Sequence, residues 1–191
     1  IGLPTETYEY LDGIGHLAQV VNRAYFTVPK EKRARGLRVT CSASSFVPKP
    51  FTPFQWEPQD TQQQIKDKQA YLREVLRRIK GVNFNWHEPE LSYLEACFSR
   101  GDRRLGKVLE RAVEKGCILD GGREQFRFDT WMEAFQECGL DPEWYAYRRR
   151  EKDEILPWDF IDAGVTKAFL WREKERAERG EITPDCRKGC Q

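Results

Sequence analysis

With 191 residues, 39% of them hydrophobic, the chain can bury one ordinary core or one core with a helical appendage; two full domains would be a squeeze. Charged side chains make up 33%, but 32 basic against 31 acidic groups leave a net +1, which excludes a global field pulling the protein toward nucleic acid or acidic lipid. No apolar run approaches the ~20 residues of a membrane helix and no secretory pattern opens the chain, so a soluble, cytoplasmic protein without membrane contact is expected.

The opening residues, Ile1 to Thr7, read as the end of a β-strand passing through a glycine turn into a helix, with Thr7 as the N-cap. Leu11, Ile14, Leu17, Ala18 and Val21 recur at helical spacing and predict one apolar stripe lying against a sheet. This is a βα unit lacking half its strand, so the chain is expected to be part of a longer α/β protein. A basic connector, 30–36, leads to a strand over 37–45, where Leu37, Val39, Cys41 and Ala43 alternate with Arg38, Thr40, Ser42 and Ser44. One face is apolar and the other small and polar. Small polar groups suit a ligand-filled lumen, whereas a packed barrel interior would carry bulky apolar residues. A solvated edge strand is the alternative.

The segment 46–58 holds four of the ten prolines and four aromatic rings, and so is neither helix nor interior strand. It reads as a wall or lid beside a barrel strand, or as a rigid strap over an apolar surface. Asp60 or Thr61 caps the next helix, whose stripe is Ile65, Leu72, Val75, Leu76 and Ile79, and Gly81 stops it. Val82, Phe84 and Trp86 then alternate with Asn83 and Asn85 in a short strand. The order so far is β-α-β-α-β, as parallel sheets require.

From His87 onward, helices with short connectors predict an extension over 87–191. One starts at Pro89, a second carries Leu105, Val108, Leu109, Ala112 and Val113, and a third carries Trp131, Ala134 and Phe135 behind a Thr130/Glu133 capping box. Asp141-Pro142 opens another turn, and Thr166 caps a final charged helix. Of six cysteines, Cys41, Cys97, Cys117 and Cys138 lie in apolar-periodic segments and read as free buried thiols, while Cys186 and Cys190 share a polar tail.

Several segments together resemble the radical S-adenosylmethionine enzymes. Ile1-Gly2-Leu3-Pro4-Thr5-Glu6-Thr7 is similar to that family's fifth-strand turn, and Ser45-Phe46-Val47-Pro48-Lys49-Pro50-Phe51-Thr52-Pro53-Phe54-Gln55-Trp56 to its sixth-strand exit. His87-Glu88-Pro89-Glu90, Arg100-Gly101-Asp102-Arg103-Arg104, Leu156-Pro157-Trp158-Asp159 with Ile161-Asp162, and Thr183-Pro184-Asp185-Cys186-Arg187 resemble one uncharacterised subfamily associated with a cobalamin-binding-type domain. The resemblance implies an α/β fold: the C-terminal part of a partial (β/α) barrel over 1–86, followed by a mainly helical extension over 87–191. It implies a parent enzyme holding S-adenosylmethionine and a 4Fe-4S cluster, with cobalamin in some members and an unknown substrate, the cofactors carrying the difficult chemistry. The family's C-x3-C-x2-C cluster motif does not occur here. The chain alone is therefore expected to be inactive and to bind no cofactor by itself, its partner being the N-terminal remainder of the parent.

By that resemblance Gly2, Leu3 and Pro4 would pass the adenosyl group, though a turn alone would also demand the glycine. Ser42 and Ser44 are the lumen-side candidates for cofactor or substrate hydrogen bonds, against a packing role. His87, Glu88 and Glu90, beyond a strand's C-terminal end, are candidates for acid-base groups, against simple helix-start carboxylates. Cys186 and Cys190 could begin a metal site completed by further ligands, since two thiolates close no tetrahedron; otherwise they belong to a plain tail. Arg100, Arg103, Arg104 and Lys107 form a basic patch that suits phosphate or RNA, or else a solvated helix face. The rival readings are an RNA-docking module and a structural plug that docks another subunit.

Overall fold

The computed structural model describes residues 1–121, 124–185 and 187; Cys186 and Cys190 lie outside them. The elements run α1 (Tyr8–Thr27), β1 (Val39–Ala43), α2 (Gln62–Arg77), β2 (Val82–Trp86), α3 (Pro89–Ser99), α4 (Leu105–Glu114), α5 (Phe128–Glu137), α6 (Pro142–Ala146) and α7 (Lys167–Glu178). They form two compact units, one of residues 1–46 and 60–93, the other of 47–59 and 94–191. No helix among the described residues is long and apolar enough to cross a membrane.

The first unit is a parallel β1–β2 pair in the register Val39↔Val82 through Ala43↔Trp86, joined by α2. The sequence predicts three strands; the sheet has two, and the opening segment contributes a stub. Ile1 donates from its nitrogen to the Ser44 carbonyl at 2.7 Å and accepts from Phe46 N at 2.7 Å, the slanted pattern of parallel pairing with Ile1 opposite Ser45. Pairing stops there because Gly2 turns the chain at φ +90°.

Both helices cover the same face of this sheet. Ala18 of α1 and Leu72 and Leu76 of α2 bury with Ala43 and Ile79, and Ile1, Ile14, Cys41, Val82 and Phe84 pack around them. The buried stripe of α1 is Leu11, Gly15 and Ala18; Leu17 and Val21, expected in it, stand exposed because α1 leans on α2 through Gly15. There a Cβ would lie 2.3 Å from Val75 Cγ1, so the glycine sets how closely the helices approach. The start of α2 is set by Thr61, whose hydroxyl accepts from Gln64 N while the Gln64 side chain accepts from Thr61 N, a full capping box.

The second unit is built around the proline-rich segment, which packs as a strap and not as a free-standing lid. Trp56 is fully buried with Leu156, Trp158 and Leu170, and meets the Trp171 ring edge-on at 5.0 Å. Gln55 Oε1 accepts from Phe51 N and from Trp158 Nε1, tying the strap to the 155–161 segment. Glu57, with no exposed surface, ion-pairs with Arg149 at 2.6 Å and Lys174 at 3.1 Å. Asp141 caps α6 and Thr166 caps α7 as expected, but α5 starts two residues before Thr130, with no side-chain cap, so the Thr130/Glu133 box does not form.

Candidate functional site at the sheet edge

Parallel strands end together, so the ends of the opening stub, β1 and β2 gather their following residues on one edge of the first unit. Gly2 lies beside Ser44 through the Ile1 bonds, and His87 and Glu88 follow directly after Trp86, the partner of Ala43. Sequence reasoning therefore names residues that the fold does bring to one edge.

The two faces of the sheet differ as the alternation predicts. Cys41, Ala43, Val82 and Phe84 face the helices, and Thr40, Ser42, Ser44, Asn83 and Asn85 are exposed on the opposite face. No part of this unit encloses that polar face, so Ser42 and Ser44 border open space and not a closed chamber. Ser45 lies on the helix-facing side opposite Ile1, and its hydroxyl is buried without a hydrogen-bond partner.

The Gly2 turn is fixed from beneath. Its N–H donates to Glu6 Oε2 at 2.7 Å, Glu6 pairs with Lys68 at 3.2 Å, and Lys68 pairs with Asp60 at 2.7 Å. A Cβ on Gly2 would lie 3.2 Å from Asp60 Oδ2, so the positive φ and the packing on Asp60 already account for glycine here. Burial pushes the Lys68 ammonium down, but its bonds to Asp60 and Glu6 outweigh this and hold it above the usual lysine value. This Glu6–Lys68–Asp60 network went unread in the sequence, because its members are 6, 60 and 68 and only Asp60 carried a local signal. Leu3 and Pro4 are exposed beyond the turn.

Of the acid-base candidates, His87 is exposed and its backbone carbonyl accepts from Gln69 Nε2 at 2.9 Å. Burial pushes the Glu90 carboxyl up, but the Lys66 ammonium at 2.7 Å and a backbone hydrogen bond hold it below the usual carboxylate value. A carboxylate so held is a poor proton donor at neutral pH and serves as the partner of Lys66. Glu88 is half-buried at the start of α3, its carbonyl accepting from Ser92 N.

The basic patch expected at Arg100, Arg103, Arg104 and Lys107 is largely dissolved by the structure. Arg100 has no exposed surface: its guanidinium donates to the carbonyls of Tyr145 at 2.6 Å, Ala146 at 2.8 Å and Arg148 at 2.5 Å. Arg104 is bound to Asp102 at 2.7 Å, leaving Arg103 and Lys107 on the surface. Cys41, Cys97, Cys117 and Cys138 are free as expected, but only Cys97 and Cys117 are buried, Cys41 and Cys138 being half-buried; burial pushes Cys97 up to about 12, an inert packed thiol. No group of three His, Cys, Asp or Glu that could hold a metal ion occurs among the described residues.

No family model and no solved structure matches the chain. It is similar to Uncharacterized protein MJ0966 of Methanocaldococcus jannaschii, 24% identical over 140 residues, which are 73% of this chain and 28% of that protein. The chain thus spans little more than a quarter of the length of the curated relative it matches.

Proposed function

We propose that the chain is the C-terminal part of a partial (β/α) barrel from a radical S-adenosylmethionine enzyme of unknown substrate, followed by a helical extension. The observation that carries this reading is the singly wound first unit. The opening stub, β1 and β2 lie in chain order and parallel, both connecting helices cover one face, and the other face is small and polar. A doubly wound sheet would place helices on both faces; helices on one face only are what a curving barrel wall requires. The polar face is then the inside of the barrel, closed by strands from elsewhere in the polypeptide, in the cytoplasm.

The hydroxyls of Thr40, Ser42 and Ser44 and the amides of Asn83 and Asn85 suit the ribose, adenine and methionyl groups of S-adenosylmethionine, which offer donors and acceptors of the same kinds. That cofactor, when bound, supplies the radical; the residues of this chain would position it and exclude water. The 4Fe-4S cluster finds no C-x3-C-x2-C motif in this sequence and no group of three candidate ligands among the described residues, so its ligands would fall to the remainder of the polypeptide. The resemblance also leaves cobalamin as a further cofactor of that remainder. With Arg100 buried and Arg104 paired, no observation favours the RNA-docking reading.

The test is anaerobic: the complete polypeptide that carries this segment is reconstituted with iron and sulfide, then given S-adenosylmethionine and dithionite. Release of 5'-deoxyadenosine is expected. A spectroscopically intact cluster without that product would overturn the proposal, as would a complete polypeptide that assembles no cluster.

A further inference from the structure

The second unit contains a cleft of 790 Å³ whose floor and walls come from Pro50 of the strap, the end of α3 and the 101–103 turn after it, Trp144 of α6, and the 150–161 segment. That size holds a ligand of small-molecule dimensions. Its lining is mostly apolar. Leu156 and Trp158 are buried at the back, while Ile155 and Phe160, 87% and 85% exposed, stand at the rim. Such large apolar side chains held out to water mark a contact surface better than a solvated loop.

Charge inside the cleft is asymmetric. Three carboxylates line it, and each is bound by a cation that lies outside the lining: Asp102 by Arg104 at 2.7 Å, Glu154 by Arg148 at 2.6 Å, and Asp159 by Lys167 at 2.7 Å. The two cations in the lining have no such match. Arg103 is exposed and makes no ion pair among the described residues, and Arg150, only 3% exposed, donates from Nη2 to the Arg100 carbonyl while its Nε has no hydrogen-bond partner among them. The Arg150 guanidinium lies 5.2 Å from the centre of the Trp158 ring, which lines the same cleft. No described carboxylate ion-pairs with this buried guanidinium, although the Glu154 and Asp102 charges act on it from a distance, so an anion that took up its spare donors would complete its hydrogen bonding.

We propose that this cleft binds a small amphipathic anion, an apolar or aromatic body carrying one carboxylate or phosphate, with Arg150 as the partner of the anionic group. The body lies along Trp158, Leu156 and Phe160. With Nη2 already given to the Arg100 carbonyl, the guanidinium meets the anion through its remaining N–H donors. This inference stands apart from the barrel reading, because every residue it uses belongs to the second unit.

The test uses the whole chain, labelled with nitrogen-15, and follows the indole N–H resonances of Trp144 and Trp158 during titration. The probes are 4-phenylbutyrate, its neutral counterpart 4-phenylbutanol, and phenyl phosphate. Either anion is expected to shift both resonances and to bind on the order of tenfold more tightly than the alcohol, the discrimination of one charge-assisted contact. The tighter of the two anions names the natural head group. Arg150→Gln is expected to abolish the preference over the alcohol, and Phe160→Ser, at an exposed rim position, to weaken all three probes several-fold. Equal binding of acid and alcohol, no shift at either tryptophan, or binding indifferent to Phe160→Ser would each overturn the proposal, whether or not the Arg150 variant folds.

Discussion

Arg150 donates to the backbone carbonyl of Arg100, while Arg100 gives its own guanidinium to the carbonyls of Tyr145, Ala146 and Arg148. Two buried cations thereby lock the 145–150 turn to the end of α3 with backbone oxygens in place of carboxylates. Burial, with the nearby Arg150 and Arg148 charges, pushes Arg100 down to about 9, which still leaves it charged at pH 7. Arg100→Met strands three carbonyls, and a loss of about 3–5 kcal/mol is expected by urea denaturation.

The Arg148–Glu154 pair predicts an acid-dependent loss of stability. Bonding to Arg148 holds the Glu154 carboxyl below its ordinary value of 4.5, against a smaller opposing effect of burial. A carboxyl depressed in the folded state stabilises it fully above the unfolded value, and that contribution disappears as pH falls through the folded one. Glu154→Gln is expected to lower stability by about 1 kcal/mol at pH 7. In denaturation curves taken across the acid range, the gap between variant and parent should begin to narrow as pH falls below the ordinary value of 4.5 and close as pH falls through the lower folded value; a gap that persists would contradict the pairing.

Two glycines two residues apart on α1, about 3 Å along its axis, should respond with opposite signs. A Cβ on Gly13 meets nothing within 4 Å, so Gly13→Ala should raise stability by about 0.5–1 kcal/mol through helix propensity alone. At Gly15 the same methyl meets Val75 at 2.3 Å, and Gly15→Ala should lower it by about 1–3 kcal/mol by forcing α1 from α2. Thermal melts of the two variants decide this directly.

The capping box of α2 gives a local control. Thr61→Ala removes the hydroxyl that accepts from Gln64 N, and a loss of about 1 kcal/mol is expected. Hydrogen exchange should quicken in the first turn of α2 while β1 and β2 keep their protection.

What the sequence made legible was local or periodic. The alternation over 39–43 and 82–86 located both strands and their polar faces, and Thr61, Asp141 and Thr166 marked three helix starts from chemistry confined to one turn. The Thr130/Glu133 motif failed because a capping box is worth only about 1 kcal/mol, less than the packing of Trp131, whose indole also bonds to Asp120. Arg100 read as a surface charge because its partners are carbonyls 45–48 residues away, and charge patterning reports nothing about such acceptors. For the same reason the cleft around Arg150 and the Glu6–Lys68–Asp60 support under Gly2 were invisible: each is assembled from distant segments whose residues look unremarkable one at a time. The strap at 46–58 carried both a lid and a packing reading, and only the burial of Trp56 and Glu57 separates them.

The barrel account turns on what covers Ser42 and Ser44 in the complete polypeptide. Each is replaced singly by cysteine, and maleimide labelling of that site is timed by mass spectrometry with and without S-adenosylmethionine, the native thiols serving as internal references. The account expects the new thiols to label at least tenfold more slowly than an exposed control on α1, such as Gly13→Cys, and more slowly again with the cofactor bound. Labelling at the rate of that control, unchanged by S-adenosylmethionine, would contradict it.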